Sequence, residues 1–357
     1  MTHSSRFPAR AKILFALVAL TLASASLVRA QLTFTFNYAT DIDPRALAGF
    51  EEAAARWSNI FNDSINVTLN IGFQTLGTGI LGSTATTRGT VPYYAYKAYL
   101  AADSTSSADR LAVSSLPSGS SFNLFLNRTS DSPFGSGSAT PYLDNDGGAN
   151  NSYIRLTLAD ARALGLYQAS GGLADASITF SSTFNFDFNP DDGIAANAID
   201  FVGVATHEIG HALGFTSGVE TLDNLSTPIA DNALTYISPL DLYRYSTASY
   251  ADGAIDWTAD QRAKYFSIDG GKTPLALFST GVVNGDGRQS SHWKDNYGFG
   301  IMDPTIAYGE LDKISPLDIT ALDVIGFNVA IPEPSTYGML GALSLMAAVI
   351  VRRKRNR

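Results

Sequence analysis

Apolar and polar residues alternate twice near the start of the chain, with a helical period between. Leu32-Thr33-Phe34-Thr35-Phe36-Asn37-Tyr38 and Ile65-Asn66-Val67-Thr68-Leu69-Asn70-Ile71 each put every second side chain on one apolar face, the period of a half-buried strand. Between them Leu47, Phe50, Ala54, Trp57 and Phe61 fall at alternating three- and four-residue steps. That spacing predicts a helix from Pro44 to Phe61, with Asp43 as cap and Pro44 at the first helical position. Further along, the pattern predicts one or two helices over Tyr93–Leu116 and a strand over Phe122–Leu126. A long Gly/Ser/Asn/Asp-rich loop follows over 130–151. Tyr153–Leu158 and Ala176–Phe180 read as strands, with a short helix near Leu158–Leu164 between them. Late in the chain, Pro316 to Gly326 reads as a helix with Pro at its first position and Gly at its end. Tyr93, Tyr94, Tyr96 and Tyr99 are read as packing and surface residues.

The two ends break this globular pattern. Arg6, Arg10 and Lys12 precede an apolar run from Ile13 to Ala23, and Val28-Arg29-Ala30 offers small residues for cleavage, so residues 1–30 read as a signal peptide. At the other end, Pro332-Glu333-Pro334 is followed by an apolar run from Tyr337 to Val351 and the basic cluster Arg352–Arg355. That order resembles the PEP-CTERM sorting tail of Gram-negative bacteria. The resemblance implies a transient inner-membrane anchor over 331–357, processing by sorting machinery, and release to the cell surface or outside. Removing both ends changes the charge balance. The chain holds 24 Lys+Arg and 33 Asp+Glu; the ends take nine and one of these, leaving 15 against 32, a net charge of −17 over 31–331. So acidic a domain excludes nucleic acid as the expected partner. With no Cys, nothing is stapled and no thiolate can ligate a metal.

The chemistry concentrates in Ala205-Thr206-His207-Glu208-Ile209-Gly210-His211-Ala212-Leu213-Gly214-Phe215. On a helix, residues four apart share a face, so His207 and His211 can hold one metal ion while Glu208 stands beside it. Asn197, with Asp200 three residues on, reads as the helix start, and Gly214 as its left-handed stop. The chain has four His in all, and His3 lies in the predicted signal. His292 is therefore the remaining candidate for a third nitrogen ligand, with carboxylates as the alternative.

His-Glu-Ile-Gly-His-Ala-Leu-Gly-Phe, followed far downstream by His292 and the turn Gly300-Ile301-Met302-Asp303-Pro304, resembles the metzincin clan of zinc endopeptidases. Most metzincins carry the third His three residues after the motif's Gly; here that position is Ser217, and residues 215–291 read as an insertion, as in leishmanolysin-like members. The resemblance implies an α+β catalytic domain over 31–330, with a twisted mixed sheet, a long active-site helix, a Met-turn and a C-terminal helix. It implies one catalytic Zn²⁺ on His207, His211 and His292, Glu208 as general base, Met302 as the Met-turn methionine, and a protein or peptide substrate. The insertion reads as loops with short helices beside the cleft. Two rival readings stand beside the endopeptidase: a non-enzymatic surface or matrix protein keeping the fold, and a zinc hydrolase of a non-peptide bond. Asp187, Asn189, Asp191 and Asp192 offer oxygens that could hold Ca²⁺, with a polar turn as the alternative.

Overall fold

A computed structural model describes residues 31–167 and 172–330. The predicted signal and sorting tail lie outside the described residues. The domain is mixed α+β, and its principal sheet has four strands, in the order Thr33–Asn37, Asn66–Gln74, Ala176–Ser181 and Gly82–Thr86. Strands β1 (Thr33–Asn37) and β2 (Asn66–Gln74) pair in parallel with Thr33 opposite Asn66; β8 (Ala176–Ser181) continues the parallel run with Leu69 opposite Ala176. The fourth strand, β3 (Gly82–Thr86), is antiparallel to β8 and forms the sheet edge.

Parallel strands need a crossover, and the helix Pro44–Ser58 supplies the first. Asp43 caps it by accepting from Arg45 N at 2.8 Å. It stops at Ser58, three residues short of the predicted Phe61, because Phe61 leaves the helix to bridge Val329. Its inner face meets the site helix, Phe201–Leu213, and the two share one aromatic core. Phe201 lies with ring centroids 4.5 Å from Phe180, 5.2 Å from Phe50, 5.6 Å from Phe186 and 4.7 Å from Phe188. Such edge and tilted contacts add to the area-driven burial of large rings. Gly49 lets the helices close: a Cβ there would sit 2.5 Å from the Phe201 ring.

A second layer completes the fold. Strands β4 (Arg88–Pro92) and β7 (Tyr153–Thr157) pair antiparallel, and β5 (Leu124–Leu126) and β6 (Tyr142–Asp144) join Ile255–Asp256 in a small sheet. Two helices, Tyr93–Asp103 and Ser107–Ser115, occupy the predicted helical stretch. Tyr93 and Tyr96 are buried there, while Tyr94 and Tyr99 face out. The loop read over 130–151 contains strand β6, and the insertion holds more than loops and short helices. Within it Arg244–Tyr245, Lys264–Phe266 and Ala276–Phe278 form a three-stranded antiparallel sheet. Strands this short carry no readable alternation. Among the described residues no helix is long and apolar enough to cross a membrane.

Candidate metal centre

The site helix starts at Phe201, capped by Asp200, whose Oδ1 accepts from Gly203 N at 2.8 Å. This corrects the expected cap at Asn197: Ile199–Asp200 first pairs as a short parallel strand with Phe186–Asp187, so helical dihedrals begin later. Gly214 ends the helix at φ 143°, a region costly for side chains with a Cβ. Between these limits His207 and His211 project from one face, one turn apart, with rings nearly perpendicular at 84°.

His292 arrives from across the insertion. The three Nε2 atoms lie 3.0 Å (His207–His211), 3.1 Å (His207–His292) and 3.2 Å (His211–His292) apart. Each Nδ1 faces a carbonyl oxygen: His207 to Ile301 at 2.7 Å, His211 to Phe215 at 2.7 Å and His292 to Gln289 at 3.3 Å. A carbonyl can only accept, so the ring proton sits on Nδ1 and the lone pair on Nε2. Three lone pairs then converge with no proton to share among them. That donor set fits a cation, since ligand nitrogens around a tetrahedral zinc at about 2.0–2.1 Å stand roughly 3.3 Å apart. Burial pushes the imidazole pKa of His207 down to about 4 and that of His211 to about 3, and pushes His292 well below its ordinary value. All three imidazoles are thus neutral at physiological pH. Among the described residues this is the one group of three or more His, Cys, Asp or Glu whose donor atoms converge closely enough to hold a metal ion.

Glu208 stands beside the cluster, 5% exposed, with Thr84 Oγ1 of the edge strand 2.6 Å from its Oε2. Burial raises its carboxyl to about 7, and the Thr84 hydrogen bond pulls the other way. Edge strand and helix approach so closely that a Cβ at Gly82 would lie 2.6 Å from Glu208 Oε1. Neither Thr84 nor strand β3 is foreseen in the sequence pattern. Ser83-Thr84-Ala85-Thr86-Thr87 offers small and β-branched residues but no large apolar alternation.

Below the histidines, Met302 is buried against the site helix. Gly210 gives it room, because a Cβ there would meet the Met302 sulfur at 2.5 Å. The turn is held by Asp318 of the closing helix Pro316–Asp323. Its carboxylate accepts from Ile301 N (2.9 Å), Met302 N (3.3 Å), Trp293 Nε1 (2.8 Å) and Ser315 N (2.7 Å). One buried residue therefore fixes the carbonyl that receives His207 and the residue next to His292.

The other candidates fall elsewhere. Ser217 is buried and donates to Asp241 Oδ1 at 2.6 Å, away from the nitrogen cluster. Glu220, reached past the Gly214 turn, accepts from Ser291 N at 3.1 Å and from Ser291 Oγ, steadying the residue before His292. Asp187, Asn189, Asp191 and Asp192 form a self-capped turn: Asp187 accepts from Asn189 N and Ala195 N, and Asn189 from Asp191 N. Its carboxylates do not converge with a third ligand of their kind among the described residues.

The three histidines and Glu208 line a cleft of about 790 Å³. One wall is the segment Thr78–Thr84 of the edge strand and its approach; the other comes from Val282, Gly287–Gln289 and Asp303–Ile306. Comparison with known protein families, with curated proteins and with solved structures gives no match to this chain. The function is therefore argued from the geometry.

Proposed function

We propose that this chain is an exported zinc-dependent endopeptidase of the metzincin type, with His207, His211 and His292 as metal ligands and Glu208 as general base. The observation that carries the reading is the meeting of three Nε2 lone pairs at 3.0–3.2 Å beside one buried carboxylate. A zinc ion held there supplies Lewis-acid chemistry, polarising a carbonyl and making a water acidic near neutral pH.

The chain's own residues do the rest. Ile301, Phe215 and Gln289 accept from the Nδ1 atoms and so hold each imidazole in the tautomer a cation needs. Glu208 takes a proton from the attacking water on a carboxylate oxygen and returns it to the leaving amine. Thr84 occupies Oε2 and so keeps the carboxylate turned in one orientation. A peptide substrate is favoured over other bonds by strand β3, an edge strand that borders the cleft. Its outer backbone groups pair with no strand among the described residues, and an extended peptide can add there as a further strand.

Metal analysis of the purified protein beside casein or gelatin cleavage, with and without a chelator, tests the reading. Glu208→Gln should keep zinc near the wild-type content while lowering turnover at least about 10²-fold. Full activity in that variant would assign the proton transfer to another group. A zinc-loaded wild-type protein that cleaves no peptide would favour the surface-protein reading, and cleavage of esters alone the non-peptide hydrolase. Export and tail processing predict a C-terminus near residues 331–336 in the extracellular form by mass spectrometry; an intact Arg357 there would refute it.

A further inference from the structure

The cleft that holds the histidines contains two arginines, and they differ. Arg288 is half-exposed and paired, its Nε 2.9 Å from Asp295 Oδ2. Arg88, at the start of β4, is the other. Its Nε donates to Thr86 Oγ1 at 2.7 Å, and no carboxylate lies within 4 Å of its guanidinium among the described residues. Neither Nη donates to any acceptor among the described residues, yet neither is sealed from solvent. Arg88 is half-buried and lines the cleft together with His211 and Glu220. Its charge is felt at His211, whose protonation it opposes.

A guanidinium cannot shed its proton, so a half-buried one must find acceptors or stand partly desolvated. Placed in a domain with a large acidic excess, it is the more unusual for having no carboxylate within 4 Å among the described residues. Glu220, the acid whose charge acts most on Arg88, also lines the cleft, but its Oε1 is taken by Ser291 N and Oγ. A second guanidinium, Arg155, adds to the positive field from the neighbouring strand β7, where it stacks over Tyr236 at 4.8 Å. Asp241, the other acid that acts on Arg88, is occupied by donors from Ser217, Gly218, Ser238 and Trp257. The cleft rim, by contrast, presents the exposed apolar side chains Ile80, Val282 and Tyr308, which discriminate little between peptides.

We propose that Arg88 is the specificity-determining residue of this cleft, and that it selects peptides carrying an Asp or Glu side chain close to the scissile bond. The planar fork of the guanidinium matches a carboxylate with two parallel hydrogen bonds, and both Nη atoms are available for it. This rests on the endopeptidase reading, and two measurements separate the failure of one from the failure of the other.

The first is a peptide-library cleavage profile of the zinc-loaded full domain. One position flanking the cut should be enriched in Asp and Glu, with kcat/KM about tenfold above Ala and further above Lys. Arg88→Gln should flatten that position, Arg88→Lys should keep a weaker acidic preference, and Arg88→Glu should turn it toward Lys. The second is binding, without turnover, of peptides differing only at that position to the Glu208→Gln variant, read by fluorescence anisotropy. The acidic peptide should bind about tenfold tighter than the Ala peptide, and Arg88→Gln should remove the difference. Because the wild-type profile needs no Arg88 variant, a lack of acidic enrichment there overturns the proposal even if a variant does not fold. Cleavage with no acidic enrichment, an acidic preference that survives Arg88→Gln, or a preference for Lys directed by Glu220 would overturn the role of Arg88 alone. No cleavage of any peptide, together with no acidic preference in binding, would remove both readings.

Discussion

Around Phe201 the rings of Phe50, Phe180, Phe186 and Phe188 pack in edge and tilted contacts, and the sheet, the first helix and the site helix are joined there. Around Asp318 there is aromatic packing too, Trp293 lying against Phe215, Phe266 and Phe278, but there one carboxylate also collects four N–H groups from three separate stretches of chain. The pattern repeats across the second region. Asp241 gathers Ser217, Gly218, Ser238 and Trp257, and Asp223 accepts from Val283 N and Asn284 N. On both sides of Gly214 apolar area is buried, and after it several buried acids in addition capture loose backbone from distant stretches. Apolar cores tolerate volume-conserving change, whereas a captured backbone depends on one acceptor. The histidine cluster lies on the seam, with two rings from the first region and one from the second.

The largest expected effect comes from cutting that seam. His292→Ala should abolish metal retention and lower cleavage at least about 10²-fold, because two helix ligands leave zinc short of the three usual in catalytic sites. Ser217→Ala should leave both nearly unchanged and cost only about 1 kcal/mol of stability, the worth of its hydrogen bond to Asp241. Zinc content and cleavage measured together decide it. Loss of zinc in Ser217→Ala with retention in His292→Ala would move the third ligand to the other side of Gly214.

Next is a paired test of the two regions. Phe201→Ala should cost about 3–5 kcal/mol through the cavity it leaves, while Phe201→Leu recovers most of that. Asp318→Ala should cost a similar amount, but by stranding four donors, and Asp318→Asn should recover little, because its amide turns donors toward donors. Asp318 variants should also weaken zinc about 10–100-fold through Ile301, which receives His207; Phe201 variants should not. Urea melts with a zinc competition titration read both. Equal zinc affinity in Asp318→Asn and Phe201→Leu would erase the distinction.

The same contrast explains what the sequence pattern reveals. In the apolar region the elements announce themselves: Asp43-Pro44 opens the first helix, alternation marks β1 and β2, and the i,i+4 pair marks the site helix. His292 is legible only by census, as the one His left for a third ligand. In the acid-held region the signal is spread over residues far apart in sequence. Asp318 completes a capping box with Ser315 at the start of its own helix. Nothing near it says that it also holds Ile301 and Trp293. Strand β3 escapes notice for a different reason: as an edge strand against the cleft it needs no large apolar side chains, so Thr84 and Arg88 lie in a stretch without period.

The smallest expected effect concerns a residue that belongs to neither scheme. Asp160 is fully buried, yet neither of its carboxylate oxygens has a hydrogen-bond partner among the described residues. It sits between the two turns that close the regions: a Cβ at Gly214 would lie 3.7 Å from Oδ2, and one at Gly326 3.2 Å from Oδ1. Burial first, then the charges of Asp103 and Asp63, hold its pKa well above the ordinary 3.8. The sign follows from linkage: a carboxyl whose folded-state pKa is raised binds its proton more tightly when folded. Its contribution is fully present below the ordinary pKa and is lost as pH rises from there toward the raised value. Asp63, raised to about 6, and Asp323, raised to about 7, act in the same direction. The stability these three carboxyls contribute should therefore fall between pH 5 and pH 8. An opposing gain below about pH 6.5 comes from the depressed imidazoles of His207, His211 and His292, which wild type and an Asp160 variant share. Asp160→Asn keeps the shape and cannot ionise, so it should lose less over that interval and stand about 1 kcal/mol above wild type at pH 8. Part of the gain is offset by the new amide donors, which meet no more partners than the oxygens did. Chemical denaturation of both proteins at pH 5 and pH 8 isolates the residue, since Asp63 and Asp323 are common to the two. An identical pH dependence would mean that Asp160 is ionised in the fold and finds a counter-charge there, making it one more captor of the kind Asp318 represents.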